Sequence, residues 1–270
     1  MVFFITNEAN KDNLFAAKII NKDGDYIAPI YIGEERIHKD PEKIGEIAEE
    51  SEYKLFPYFS DLYEKEQNHR LIVSGKSGSG KSYTIGKMLD QYASLTRKSI
   101  IILSWVNQDE PLDQLRPVYN KLSKTVTNQM PRRINLLADS LFDLTPEYFA
   151  DTIVVFDDVE KGVEKERIKF INSLRSMLYE LGRHHDIDLI SVSHDILGGN
   201  ANKTIKNEST GIFLYPQHNS HHQMISYLTR NVGLTKDQIE EIKKINSRWV
   251  YIHLNAPMYW VSDKKIKLLV

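Results

Sequence analysis

Cysteine is missing altogether from the 270 residues, which excludes disulfides and thiolate metal sites and fits a reducing compartment. No apolar run approaches the length of a membrane span, so no span is expected. The opening residues MVFFITNEANKD have no basic n-region and only a short apolar run, so no signal peptide is expected either. An excess of positive charge is also absent: 35 Lys and Arg stand against 37 Asp and Glu, a net charge of −2 with His neutral. The chain is therefore not a polycation that coats nucleic acid, and any DNA-binding surface has to be local, as in the pore of a ring. Internal repeats and low-complexity tracts are absent. What remains is an ordinary globular composition, 41% hydrophobic and 27% charged. Its length suits one large α/β domain with a small appendage.

Against that background the stretch LIVSGKSGSGKSYT at 71–84 stands out. Leu71, Ile72 and Val73 read as a short buried strand. Gly75, Lys76, Ser77, Gly78, Ser79, Gly80, Lys81 and Ser82 then match G-x-x-x-x-G-K-[ST] in full. A helical pattern follows, with Ile85, Met88, Leu89 and Tyr92 on one face. Strand, Gly-rich turn and helix in that order define a P-loop. Gly75, Gly78 and Gly80 let the backbone curl into a nest of N–H groups around a triphosphate. The helix start adds its positive dipole end. Lys81 is placed to reach the β- and γ-phosphates, Ser82 to ligate Mg²⁺, and Tyr83 to close the ATP-binding set.

The rest of the chain reads as a mainly parallel sheet covered by helices. Residues 1–35 look β-rich, with Asp23-Gly24 between two β-like runs as a hairpin signal. Residues 34–66 are strongly charged, with a helix expected near 41–51. Residues 1–65 are thus expected to form an N-terminal β appendage and connector, and residues 66–270 the P-loop domain. Further buried strands are expected at 99–106, 152–156, 188–193 and 211–215. A helix with one apolar stripe is expected over 164–181, ending near Gly182, and the chain breaks at Gly198-Gly199-Asn200. Thr235 and Gln238 mark a capping box for a helix at 234–246. Residues 248–254 and 258–262 are two more β runs. Residues 107–150 are less regular. Arg116, Lys121, Lys124, Arg132 and Arg133 give them a basic bias, which is either a solvated surface or a loop facing DNA.

Several polar residues fall at strand ends, where active groups of a parallel sheet collect. Asp157 closes the TIVVF strand and is the candidate to hold Mg²⁺ through water beside Ser82. Asp158 is the candidate to polarise attacking water, unless it only caps the next helix, and Glu160 is its rival. His194 ends the neighbouring strand, either as a γ-phosphate sensor or as a structural histidine. Arg183, with Arg175 as a second candidate, would stabilise charge on a transferring phosphoryl group, or else simply completes a helix end. His184-His185 and His218, His221 and His222 lack the spacing and the acid of a zinc site.

Four segments resemble the viral DNA-packaging ATPases of the poxvirus and giant-virus type, within the FtsK–HerA superfamily: GKSGSGKS at 75–82, IVVFDD at 153–158, GRHHDIDLISVSH at 182–194 and SRWVYIHLNAPMYWV at 247–261. The superfamily has a Gly-Arg, a strand and a terminal polar sensor at similar spacing. Here His194 stands where Gln is usual, and Asp157-Asp158 where Asp-Glu is common. The resemblance implies a RecA/FtsK-like P-loop fold and a homo-oligomeric ring that uses ATP and Mg²⁺ to thread double-stranded DNA into a capsid. It also implies an arginine at the subunit boundary, matched by Arg183, a capsid vertex or portal partner, and work at a viral assembly site in the host cytoplasm. A cellular translocase of the HerA type is its nearest alternative. A small-molecule P-loop kinase would want an Arg-rich lid, and a nucleotide-dependent switch would bind without turnover.

Overall fold

In the computed structural model the described residues are 2–10, 12–35, 43–48, 51–59, 68–95, 98–120, 123–159, 164–196 and 202–269. The first half has strands β1 (Val2–Thr6), β2 (Leu14–Ile20), β3 (Tyr26–Glu35), β4 (Ile44–Glu46), β5 (Lys54–Pro57) and β6 (Arg70–Ser74). Helix α1 (Lys81–Leu95) leads to β7 (Ser99–Ser104), β8 (Arg116–Asn120), β9 (Thr125–Gln129) and β10 (Arg132–Asn135). Then come β11 (Thr152–Asp157), α2 (Lys165–Leu181), β12 (Asp188–Ser193), α3 (Asn202–Glu208) and β13 (Gly211–Leu214). The chain closes with α4 (His221–Tyr227), α5 (Lys236–Lys244), β14 (Val250–His253), β15 (Tyr259–Val261) and β16 (Lys265–Leu268).

The main sheet has ten strands in the order β10-β7-β11-β12-β6-β13-β14-β15-β16-β4. Neighbours from β10 to β13 are parallel. From β13 to β4 the pairs are antiparallel. The parallel strands are covered on both faces, which is why β11 and β12 are buried at every position. One layer of core carries Ile85, Met88 and Leu89 of α1, and the other Ile171, Leu174 and Leu178 of α2. The Thr235–Gln238 capping box forms as expected and starts α5.

Two expectations are corrected. The helix near 41–51 is absent where the chain is described: Ile44–Glu46 is a strand, paired antiparallel with β16. Tertiary pairing overrides the local pattern. The irregular stretch at 107–150 contains a two-stranded sheet, β8-β9, and a parallel edge strand, β10. The break at 198–200 lies outside the described residues.

The N-terminal strands form a sheet of order β1-β3-β2-β5. The hairpin between β2 and β3 turns at Asn21–Asp25, where Asn21 Oδ1 accepts the N–H of Asp23 and of Asp25, and Gly24 has φ +92°. Ile5, Ala17, Ile20, Leu55 and Phe56 of this segment share one apolar cluster with Leu71, Ile85 and Tyr251. The N-terminal sheet is therefore packed against β6 and α1, and β4 extends the ten-stranded sheet.

Candidate nucleotide site

The strand order decides which side chains meet. The strand before the P-loop, β6, is not next to β11, the strand that ends in Asp157; β12 lies between them. The carboxyl end of β12 therefore stands between the phosphate loop and the acidic pair. Gly75 N–H donates to the carbonyl of Ser193 at 3.1 Å, which fixes the loop to that strand end. His194 follows directly and bridges the two sides. Its Nε2 lies 2.9 Å from Asp158 Oδ2, and its Nδ1 lies 3.4 Å from Lys81 Nζ. An ammonium can only donate, so Nδ1 accepts and the ring proton sits on Nε2, donated to the carboxylate.

The loop itself is shaped by glycine at the positions that need it. Gly78 and Gly80 have φ of +75° and +100°, where a side chain is strained. Lys81 is buried and donates to the carbonyls of Gly75 at 2.7 Å and Lys76 at 3.2 Å, so its ammonium lies across the loop. Asp158 also has a positive φ, +48°, in a residue that is not glycine. That left-handed turn at the end of β11 swings its carboxylate toward His194 while Asp157 stays buried in the strand. Burial pushes the Asp157 carboxyl above its ordinary range, and the charge of Asp158 adds to this. The hydrogen bond from Ser104 Oγ, at 3.0 Å, works the other way.

Ser82 has an unexpected partner. Its hydroxyl donates to Asp109 Oδ2 at 2.8 Å. Asp109 lies in the loop after β7, at the carboxyl edge of the sheet, and its backbone N–H donates to Asp113 Oδ2 at 2.7 Å. Asp113 in turn holds Arg133 at 2.8 Å. The sequence singled out neither aspartate. The rule that active groups gather at strand ends, applied to β7, points to this loop. Asp109 Oδ1 and Asp158 Oδ1 are both buried with no hydrogen-bond partner. A hydroxyl, uncompensated carboxylates and two orphaned oxygens beside a phosphate nest fit a divalent cation riding on a phosphate, which needs only one or two protein ligands. Among the described residues no group of three or more His, Cys, Asp or Glu side chains forms a metal cage of its own.

Other candidates fall elsewhere. Arg183 is exposed in a short 3₁₀ turn, Gly182–His185, that precedes β12 at the amino edge of the sheet. The six residues of β12 separate it from His194, a strand length of about 20 Å. Arg183 thus does not reach the P-loop of its own chain. Arg175 is 1% exposed and donates to Asn172 Oδ1 at 3.0 Å, so it is not presented to a neighbouring subunit. Glu160 lies outside the described residues. Tyr83 is 60% exposed on the first turn of α1, with Lys87 Nζ 5.0 Å above its ring centre.

The basic residues at 107–133 differ in their surroundings. Arg116 is buried, pairs with Asp90 at 2.8 Å and donates to the carbonyls of Gly86, Pro111, Leu112 and Gln114. It is an internal staple between α1 and the Asp109 loop. Lys124 is exposed near the tip of the β8-β9 hairpin, and β9 is exposed at all five positions. Lys121 lies outside the described residues.

No protein-family model matches the chain. It is 25% identical over 223 residues to the uncharacterized protein V3 of Sputnik virophage, covering 81% of this chain and 82% of that protein. Among solved structures it is similar to B204, the DNA-packaging ATPase from Sulfolobus turreted icosahedral virus, at 14% identity and a TM-score of 0.49, over 76% of this chain and all of B204. The conjugation coupling protein TcpA of pCW3 is another, at 15% identity and a TM-score of 0.48, over 73% of this chain and 60% of TcpA. No helix among the described residues is long and apolar enough to cross a membrane. The sheet order, with the phosphate loop between β6 and α1, makes this chain an α/β protein of the P-loop NTPase fold.

Proposed function

We propose that this chain is an ATPase that works as a homo-oligomeric ring and drives double-stranded DNA, as a viral genome, into a capsid. The observation that carries the hydrolytic half is the line Lys81–His194–Asp158, which joins the phosphate loop to a carboxylate with a free, buried oxygen. The motor half is supported by the four segments of sequence that resemble viral packaging ATPases. Work at a viral assembly site and a capsid vertex or portal partner belong to the same reading.

The residues divide the task as follows. Bound Mg²⁺-ATP supplies the phosphoanhydride bond and neutralises charge on the β- and γ-oxygens. Backbone N–H groups of 75–82 hold the phosphates, and Lys81 exchanges the carbonyls of Gly75 and Lys76 for phosphate oxygens. Ser82, its hydroxyl proton directed at Asp109, and Asp157, through water, would hold the cation. Asp158, held by His194, accepts the proton of the attacking water. When Lys81 moves to phosphate, His194 Nδ1 loses its partner, so one ring reports the γ-phosphate to the general base. Arg183 acts in trans, on the nucleotide of the next subunit. The β8-β9 hairpin, joined to the site through Arg116 and the Asp109 loop, carries the movement to DNA.

Steady-state ATP hydrolysis over a range of protein concentrations, with and without duplex DNA, tests this. Turnover should rise with both and vanish in Lys81→Ala. Turnover indifferent to DNA, with phosphate appearing on an added nucleoside, would contradict it in favour of a kinase.

A further inference from the structure

The line from Lys81 to Asp158 fixes where the γ-phosphate end of a nucleotide belongs, on the β12 side of β6. The other end must leave the loop on the opposite side, toward β13 and β14. A cavity of about 250 Å³ lies there, along Gly80 and the face of α1 that carries Tyr83, Thr84 and Lys87. β14 is antiparallel to β13, so its first residues return to the phosphate-loop edge of the sheet. Arg248 and Trp249 precede it and line the cavity. A side chain at Gly80 would meet Arg248 Cδ at 3.4 Å and Nη1 at 3.6 Å, so this guanidinium lies against the rim of the loop. Among the described residues it has no ion-pair partner.

The opposite wall comes from the N-terminal sheet. Ile20, Leu55 and Phe56 line it, and Phe56 holds the Trp249 ring edge-on at 5.6 Å between centroids. Asp263 also lines the cavity, tied in by Leu55 N–H donating to its carbonyl at 2.8 Å. One Asp263 carboxylate oxygen is buried and has no hydrogen-bond partner. Aromatic surface at Tyr83 and Trp249 suits a flat base, an unpartnered carboxylate oxygen suits an amino group, and a guanidinium at the loop rim suits ribose and the first phosphate.

We propose that this cavity is the base-and-ribose subsite for an amino-purine nucleoside triphosphate, and that the N-terminal sheet serves to build its wall. The proposal rests on the reading of 75–82 as the phosphate site. Three segments distant in sequence form the subsite, so base recognition and docking of residues 1–59 depend on each other.

Calorimetric titration of the full chain with Mg²⁺-ATP and with Mg²⁺-tripolyphosphate separates the two claims. The wild type should bind ATP at least about tenfold more tightly than tripolyphosphate, the scale of one base stacked on an aromatic ring. Tyr83→Ala changes an exposed side chain and spares the fold; with Asp263→Asn, it should weaken ATP roughly tenfold and leave tripolyphosphate unchanged. Equal affinities for the two ligands in the wild type, or variants that leave their ratio unaltered, would overturn the subsite. Lys81→Ala should weaken both ligands. Failure of the wild type to bind either would overturn the phosphate site, and the subsite with it.

Discussion

The hydroxyl of Ser82 donates to Asp109 Oδ2 across 2.8 Å, in the place where a bound cation would meet this serine. A hydroxyl has one proton, so giving it to Asp109 leaves its lone pairs for the metal. Partners of this kind orient a ligand without touching the metal, and losing one typically costs about 10–100-fold in affinity or activity. Asp109→Ala should therefore raise the Mg²⁺ concentration needed for half-maximal ATP turnover by roughly that factor. Asp109→Asn keeps an acceptor oxygen and should recover part of the loss. A Mg²⁺ dependence unchanged in both variants would remove Asp109 from the site.

Arg183 and the P-loop of the same chain lie at opposite edges of the sheet. The proposed role in hydrolysis would thus require a second subunit. Lys81→Ala and Arg183→Ala should each abolish turnover alone. Mixed, they should regain part of it, because an intact loop from one chain meets an intact arginine from the other. Mixtures as inactive as the separate variants would confine Arg183 to a structural role.

His253 sets a pH dependence for the fold. Burial, with His69 nearby, pushes its pKa down from 6.5 to about 3. It packs flat against Tyr259 at 4.8 Å, and its Nδ1 lies 3.3 Å from the Tyr251 hydroxyl. The folded state keeps the ring neutral, while the unfolded chain takes up a proton below about pH 6.5. The contribution is thus fully present above that pH and falls on acidification by about 1.4 kcal/mol per pH unit until the folded pKa is reached. His253→Gln should flatten the decline of unfolding free energy between pH 6.5 and 4.5. An equally steep decline in the variant would place the acid sensitivity elsewhere.

Much of the site was legible because its parts are local. The glycines of 75–80, Lys81 and Ser82 are one contiguous stretch, and Asp157, Asp158 and His194 each end an apolar run. The strand order that brings His194 between Lys81 and Asp158 is not written in any of those segments; it follows from which strands pair. Asp109 was illegible for the same reason, since nothing near it in sequence announces Ser82 as its partner. Arg116 counted toward a basic bias read as a solvated surface or a loop facing DNA, whereas four carbonyls and Asp90 enclose it. The stretch around Ile44–Glu46 reads locally as a helix, and it is a strand because it pairs with β16.

The most direct test of the proposed motor is displacement of a third strand from a DNA triplex by the full chain. Movement along duplex DNA should release the labelled strand in the presence of ATP and Mg²⁺. No release should occur with Lys81→Ala or with a non-hydrolysable ATP analogue. ATP turnover stimulated by the same duplex, with the third strand left in place, would contradict translocation and leave an ATPase that only responds to DNA.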